Sequence, residues 1–148
     1  MWNRKLWSEA EYAERMRVAE LMFNYAMELC LIQSRNGLYF TLENPVAASS
    51  WGLPLVQEAL GNWANTQSVN FDQCRLGLVS PSGRAIKKRT KFLTNSARVV
   101  HHFSQMQCHC VTPHMRVQGN EGRHRLSTWC QVYPEAMCDL LVTAAHES

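Results

Sequence analysis

Apolar residues in the first part of the chain recur in alternating steps of four and three. Tyr12, Met16, Ala19, Phe23, Ala26 and Cys30 therefore share one helix face, while Glu11, Glu14, Arg15, Arg17, Glu20 and Glu28 mostly fall elsewhere. Ser8 with Glu11 three residues later has the form of a capping box, so a helix is expected over 8–35. Met22, Met27, Leu29 and Leu31 widen the apolar sector, which predicts deeper burial of the C-terminal end. Asn36-Gly37 then stops the helix with residues that tolerate a left-handed backbone. Packing on a sheet explains this stripe without any cofactor role.

The run Leu38-Tyr39-Phe40-Thr41-Leu42-Glu43-Asn44-Pro45 reads as a buried strand that ends in polar groups and a proline. A second helix is expected over 51–61, capped by Ser49 or Ser50, with Trp51, Leu55, Val56, Leu60 and Trp63 inward and Pro54 in its first turn. Residues 69–74 form a second strand broken by Gly77, and 79–83 a turn. Phe92-Leu93-Thr94-Asn95 ends a third strand, and Ser96 caps a helix bearing Val99, Val100 and Phe103. Periodicity fades over 105–130, where Cys, His, Arg and Gly dominate; long irregular regions are usually functional or mobile. A last helix is expected over 133–146. The alternation of helix and strand predicts one α/β domain over 1–148, with a strand–helix core at 38–104.

Composition places the 148 residues among globular chains: 46% are hydrophobic and 18% charged. A formal charge of +3 is too small to identify a nucleic-acid binder. No stretch is apolar enough for a membrane span, and residues 1–9 lack the apolar core of a signal peptide. An intracellular location, cytoplasmic or nuclear, is the simplest reading. The six cysteines are then thiols or ligands rather than a disulfide framework.

Three groups of residues could carry chemistry. Glu43 and Asn44 stand at a strand end, where ligands of open α/β sheets bind, and a partly desolvated Glu43 could exchange a proton; otherwise it caps the next helix or pairs with a lysine. Arg84, Lys87, Lys88, Arg89 and Lys91 are dense enough for phosphate contacts on DNA or RNA, or form a solvated loop; Arg89 and Lys91 would share a strand face. Cys108, Cys110 and His114 have zinc-compatible spacing, with His109, His124 and Cys130 all available as a fourth ligand. Cys74 has no activating base nearby in sequence, and reads as a buried thiol.

From Met16 to Leu141 the chain resembles a module of retrotransposon-type polyproteins from dinoflagellates and related protists. Its landmarks are 38–45 with Ser49-Ser50-Trp51, Phe71-Asp72-Gln73-Cys74 with Gly77, 87–95, the Cys108/Cys110/His114 cluster, and Tyr133-Pro134-Glu135-Ala136-Met137-Cys138. Where that pattern tends to place a second histidine at a one-residue gap from the first, this chain has Arg116. More distantly, it resembles the later part of cytosine-5 DNA methyltransferases. Phe40, Glu43 and Asn44 match a Phe-x-x-Glu-Asn strand end whose Glu engages the flipped cytosine; Lys87, Arg89 and Lys91 correspond to a Gln-x-Arg-x-Arg strand; Val132-Tyr133-Pro134 is similar to the closing segment.

This resemblance implies a partial Rossmann-like, methyltransferase-like sheet of few strands with flanking helices and a long irregular Cys/His region. The chain has no Gly-x-Gly loop before its first strand to cradle S-adenosylmethionine, and no Pro-Cys nucleophile. It is therefore expected not to be active alone, but to be a nucleic-acid-associated module of mobile-element origin. The alternatives are a small zinc-stabilised binding module, or a subunit that completes a split methyltransferase with an upstream domain or second chain.

Overall fold

The computed structural model describes residues 6–148, so the first five residues of the segment 1–9 read above lie outside it. The elements in chain order are α1 (Glu9–Arg35), β1 (Thr41–Pro45), α2 (Pro54–Asn62), β2 (Gln67–Asp72), β3 (Ile86–Lys87), β4 (Arg89–Thr94), α3 (Ala97–Ser104), β5 (Met115–Arg116), β6 (Asn120–Glu121), β7 (His124–Arg125), α4 (Leu126–Trp129) and α5 (Glu135–His146). This is a mixed helix-and-strand chain.

The main sheet has the order β1-β4-β2, and both pairings are antiparallel. Strand β4 is central, and its pleat explains the layers. Phe92 points to one face, where it meets Phe71 and Phe103 with ring centroids 4.7–4.8 Å apart. Val69, Val99, Met137 and Ala144 complete that core, which puts α3 and α5 over this face. Leu93 points the other way, into Met27, Cys30, Phe40, Trp51, Val56 and Ala59, under α1 and α2. Fully burying side chains of this size contributes about 1.5–3 kcal/mol each.

The expected Rossmann-like sheet finds no support in these pairings. Strands β1 and β2, joined through α2, run parallel to each other, but β4 lies between them and is antiparallel to both. This is a split β-α-β unit, not the adjacent parallel strands of a doubly wound sheet. Among the described residues, only the short β3–β5 pair is parallel.

Helix α1 opens with the expected capping box: Glu11 N–H donates to Ser8 Oγ at 3.3 Å, and Ser8 N–H to Glu11 Oε2 at 2.8 Å. The stripe from Tyr12 to Cys30 is its shielded side. The expected deeper burial of the C-terminal half holds, since Met27 and Cys30 are its buried residues and Leu31 is half-buried, but the widened sector is incomplete: Met22 and Leu29 are 70% and 46% exposed. Residues 38–40 are extended without joining the sheet, because the Asn95 side chain stands in for a strand. Phe40 N–H donates to Asn95 Oδ1 at 2.9 Å, and Asn95 Nδ2 donates to the Leu38 carbonyl at 3.0 Å.

Ser49 and Ser50 do not cap α2. They open a 3-10 turn, Ser49–Gly52, and the helix starts at Pro54 after Leu53. Ala59, not Leu60, faces the core. The second strand is shifted two residues upstream of its expected place, which leaves Cys74 in a 3-10 turn, Gln73–Leu76, ended by Gly77 at φ +88. Ser96 caps α3 as expected, accepting from Val99 N–H at 3.2 Å. The irregular region carries only short elements, and with Leu78 and Ile86 it encloses a third core through Leu126 and Cys130.

Candidate metal centre

Strand β2 is an edge of the sheet, and the chain leaving α3 runs back along it. Asp72 N–H donates to the Met106 carbonyl at 2.9 Å, and Gln107 Nε2 to the Asn70 carbonyl at 2.7 Å. These bonds satisfy edge groups that would otherwise face solvent. They also carry Cys108 to the end of β2, where its N–H donates to Asp72 Oδ2 at 3.0 Å.

Beyond Asp72 the 3-10 turn presents Cys74, so four ligand groups meet. The donor atoms of Cys74, Cys108, Cys110 and His114 all lie within 4.8 Å of one another. Cys108 Sγ is 3.3 Å from His114 Nε2, and Cys110 N–H donates to Cys108 Sγ at 3.4 Å. Cys74, Cys108 and His114 are half-buried, and Cys110 is exposed. Burial pushes the Cys74 thiol up to about 12, helped by its neighbours Cys108 and Cys110. The Cys110 N–H holds the Cys108 thiol below its ordinary value. Three thiols and an imidazole converging from two segments form a cluster that could hold a metal ion.

Cys74 is the member of this cluster that sequence reading missed, since it belongs to another segment and carries no Cys-x-x-Cys signature. The candidates considered for its place sit elsewhere. Cys130 is buried in the third core, the His124 ring lies 5.2 Å from that of Trp129, and His109 is exposed.

Glu43 and Asn44 do not line one cleft. Successive strand residues point to opposite faces, and these two are no exception. Glu43 shares the face of Phe92 and accepts from Tyr133 Oη at 2.6 Å; its Oε1 is buried without a partner among the described residues. Thr41, Met137, Cys138 and Leu141 help enclose this carboxylate in a cavity of about 220 Å³. Asn44 lies across from Lys91 on the other face and donates to Ser50 Oγ at 2.8 Å, a structural role.

The basic run is likewise divided. Lys88 donates to the Cys130 carbonyl at 2.8 Å and sits 5.1 Å from the Tyr133 ring centre. Arg89 reaches Asp72 at 3.5 Å, and Lys91 lies 5.3 Å from the Trp51 ring centre. Arg89 and Lys91 do share a face, whereas Arg84 and Lys87 are exposed. Lys87 is in register with Arg116 of the neighbouring strand, so two exposed cations lie side by side. No described helix is long and apolar enough to cross a membrane.

Comparison with known protein families, curated proteins and solved structures finds no match. The resemblances given above rest on the quoted residues alone.

Proposed function

We propose that this chain is a zinc-stabilised binding module for nucleic acid, without catalytic activity of its own. The observation that carries the reading is the convergence of Cys74, Cys108, Cys110 and His114. Three thiolates and one imidazole are a donor set of structural zinc. Four protein ligands fill a tetrahedral shell and leave no open position for a substrate or an activated water. The metal would work as a staple. Cys74 leads into Leu78, and His114 leads into Met115, and both of these belong to the third core. One ion therefore ties that core to the end of β2.

A polyanionic partner is supported by the juxtaposed Lys87 and Arg116, because like charges directly opposite on a sheet are unfavourable unless an anion joins them. The methyltransferase-like reading, alone or as half of a split enzyme, gains no comparable support. Glu43 and Asn44 face opposite sides of the sheet, and the basic run is divided between them.

The test is metal analysis of protein purified under reducing conditions, followed by retention on DNA and RNA across a salt series. About one zinc per chain is expected, with retention that falls as salt rises. Protein that folds with no bound zinc would refute the metal centre.

A further inference from the structure

A second cavity is lined by neither the thiol cluster nor Glu43, though it shares Tyr133 with the Glu43 cavity. It is an open trough of about 710 Å³, within the size range of small-ligand sites. Gly77–Val79 form one wall, and the β6–β7 hairpin, α4 and the segment leading to Pro134 form the others.

Its chemistry is specific. Trp129 and Tyr133 are 40% and 41% exposed and offer aromatic surface, with the His124 ring beside the indole. Both rings are already held. Trp129 Nε1 donates to the Val79 carbonyl at 2.8 Å, and Tyr133 is fixed by Glu43 on its hydroxyl and Lys88 over its ring. Fixed rings lose little conformational freedom when a ligand arrives.

Arg123, in the turn of the hairpin, and Arg125, at the end of β7, also line the trough, and no carboxylate does. Neither guanidinium is paired with a carboxylate among the described residues. The site thus joins ring surface to unpaired positive charge. A flat heterocycle carrying an anionic group complements both parts, whereas an alkyl chain would leave the rings' solvated edges unmatched.

We infer that this trough binds a nucleotide, its base laid on Trp129 and Tyr133 and its phosphate held by Arg123 and Arg125. A nucleotide of a single strand and a free nucleotide share this chemistry. The inference rests on the nucleic-acid reading above and names the site at which it occurs. Duplex DNA hides its bases and cannot bind in this way.

The experiment uses the full chain with its zinc content measured alongside. The probes are a fluorescent ten-residue deoxythymidine strand, its duplex with deoxyadenosine, and AMP. Tighter binding of the single strand than the duplex is expected. Trp129→Ala weakens it by roughly 5- to 150-fold, the range for one stacked base. Arg123→Gln with Arg125→Gln lowers the slope of log affinity against log salt by roughly 1.4, at about 0.7 per single-strand phosphate contact.

Because Trp129 also anchors Val79, Val132→Glu provides a second variant. Val132 is 75% exposed, so the new carboxylate repels the phosphate at the trough without disturbing a core. Binding of AMP that is lost in the same variants supports the site and assigns it to free nucleotides. Unchanged strand binding in both the arginine and Val132→Glu variants overturns the inference, as does duplex binding as tight as the single strand. If zinc is present at one per chain but neither strand nor AMP binds, this inference fails and the metal centre stands.

Discussion

Replacing Cys74 by Ser is the sharpest test of the metal centre, because only the folded chain identifies that residue as a ligand. Structural zinc contributes roughly 10–16 kcal/mol of apparent binding free energy to small domains at neutral pH. An even share among four ligands is about 2.5–4 kcal/mol. At about 1.4 kcal/mol per tenfold, that is a loss of roughly 10²- to 10³-fold in zinc affinity. The serine hydroxyl is smaller than the thiol and does not ionise at neutral pH, so it recovers little of this. Competition against a chromogenic chelator measures the loss directly. His109→Ala serves as the control: His109 lies between two ligands in sequence but is exposed and outside the cluster, so its affinity should be unchanged. If Cys74→Ser binds zinc as tightly as the parent, or His109→Ala loses zinc to the same degree, the four-ligand assignment is wrong.

Two further expectations concern the fold. Asn95→Ala leaves the partly buried Phe40 N–H without its partner, while water can replace the bond to the exposed Leu38 carbonyl; stability should fall by about 1–2 kcal/mol, the cost of one unsatisfied buried backbone group. Urea unfolding with an unchanged slope would report it, and a loss below about 0.5 kcal/mol would refute the strand-like role of Asn95. Burial pushes the Cys30 thiol from its ordinary 9.0 up to about 11. The folded state therefore favours the protonated thiol. The unfolded chain ionises first, so stability is fully present at neutral pH and is lost as pH rises from 9 through 11. With solvent screening the loss is on the order of 2 kcal/mol or less, and Cys30→Ala should flatten the pH dependence in that window; an unchanged profile would exclude Cys30 as its source.

Local features were legible in the sequence where neighbours along the chain decide them. The Ser8–Glu11 box, the shielded stripe of α1, the stop at Asn36-Gly37 and the Ser96 cap all depend on groups within a few residues, and all form. Strand ends were misplaced because their partners are remote. Residues 38–40 have strand-like composition but bond to a side chain at Asn95, and β2 gives up Gln73 and Cys74 to a turn. Met22 and Leu29 stay exposed on α1 for a related reason: apolar content does not reveal how much of a helix surface its neighbours cover.

The same division runs through the site. Amino-acid pattern alone determined that the chain mixes helices and strands, that it holds an irregular Cys/His region, and that Cys108, Cys110 and His114 are spaced to share an ion. Tertiary structure decided the rest. Strand β4 is inserted between β1 and β2, which makes the sheet antiparallel; the chain returning along the edge of β2 brings Cys74 to its partners; and the pleat sends Glu43 and Asn44 to opposite faces. Which segment lies beside which follows from burial and hydrogen bonding across long loops, and no window of neighbouring residues contains that information.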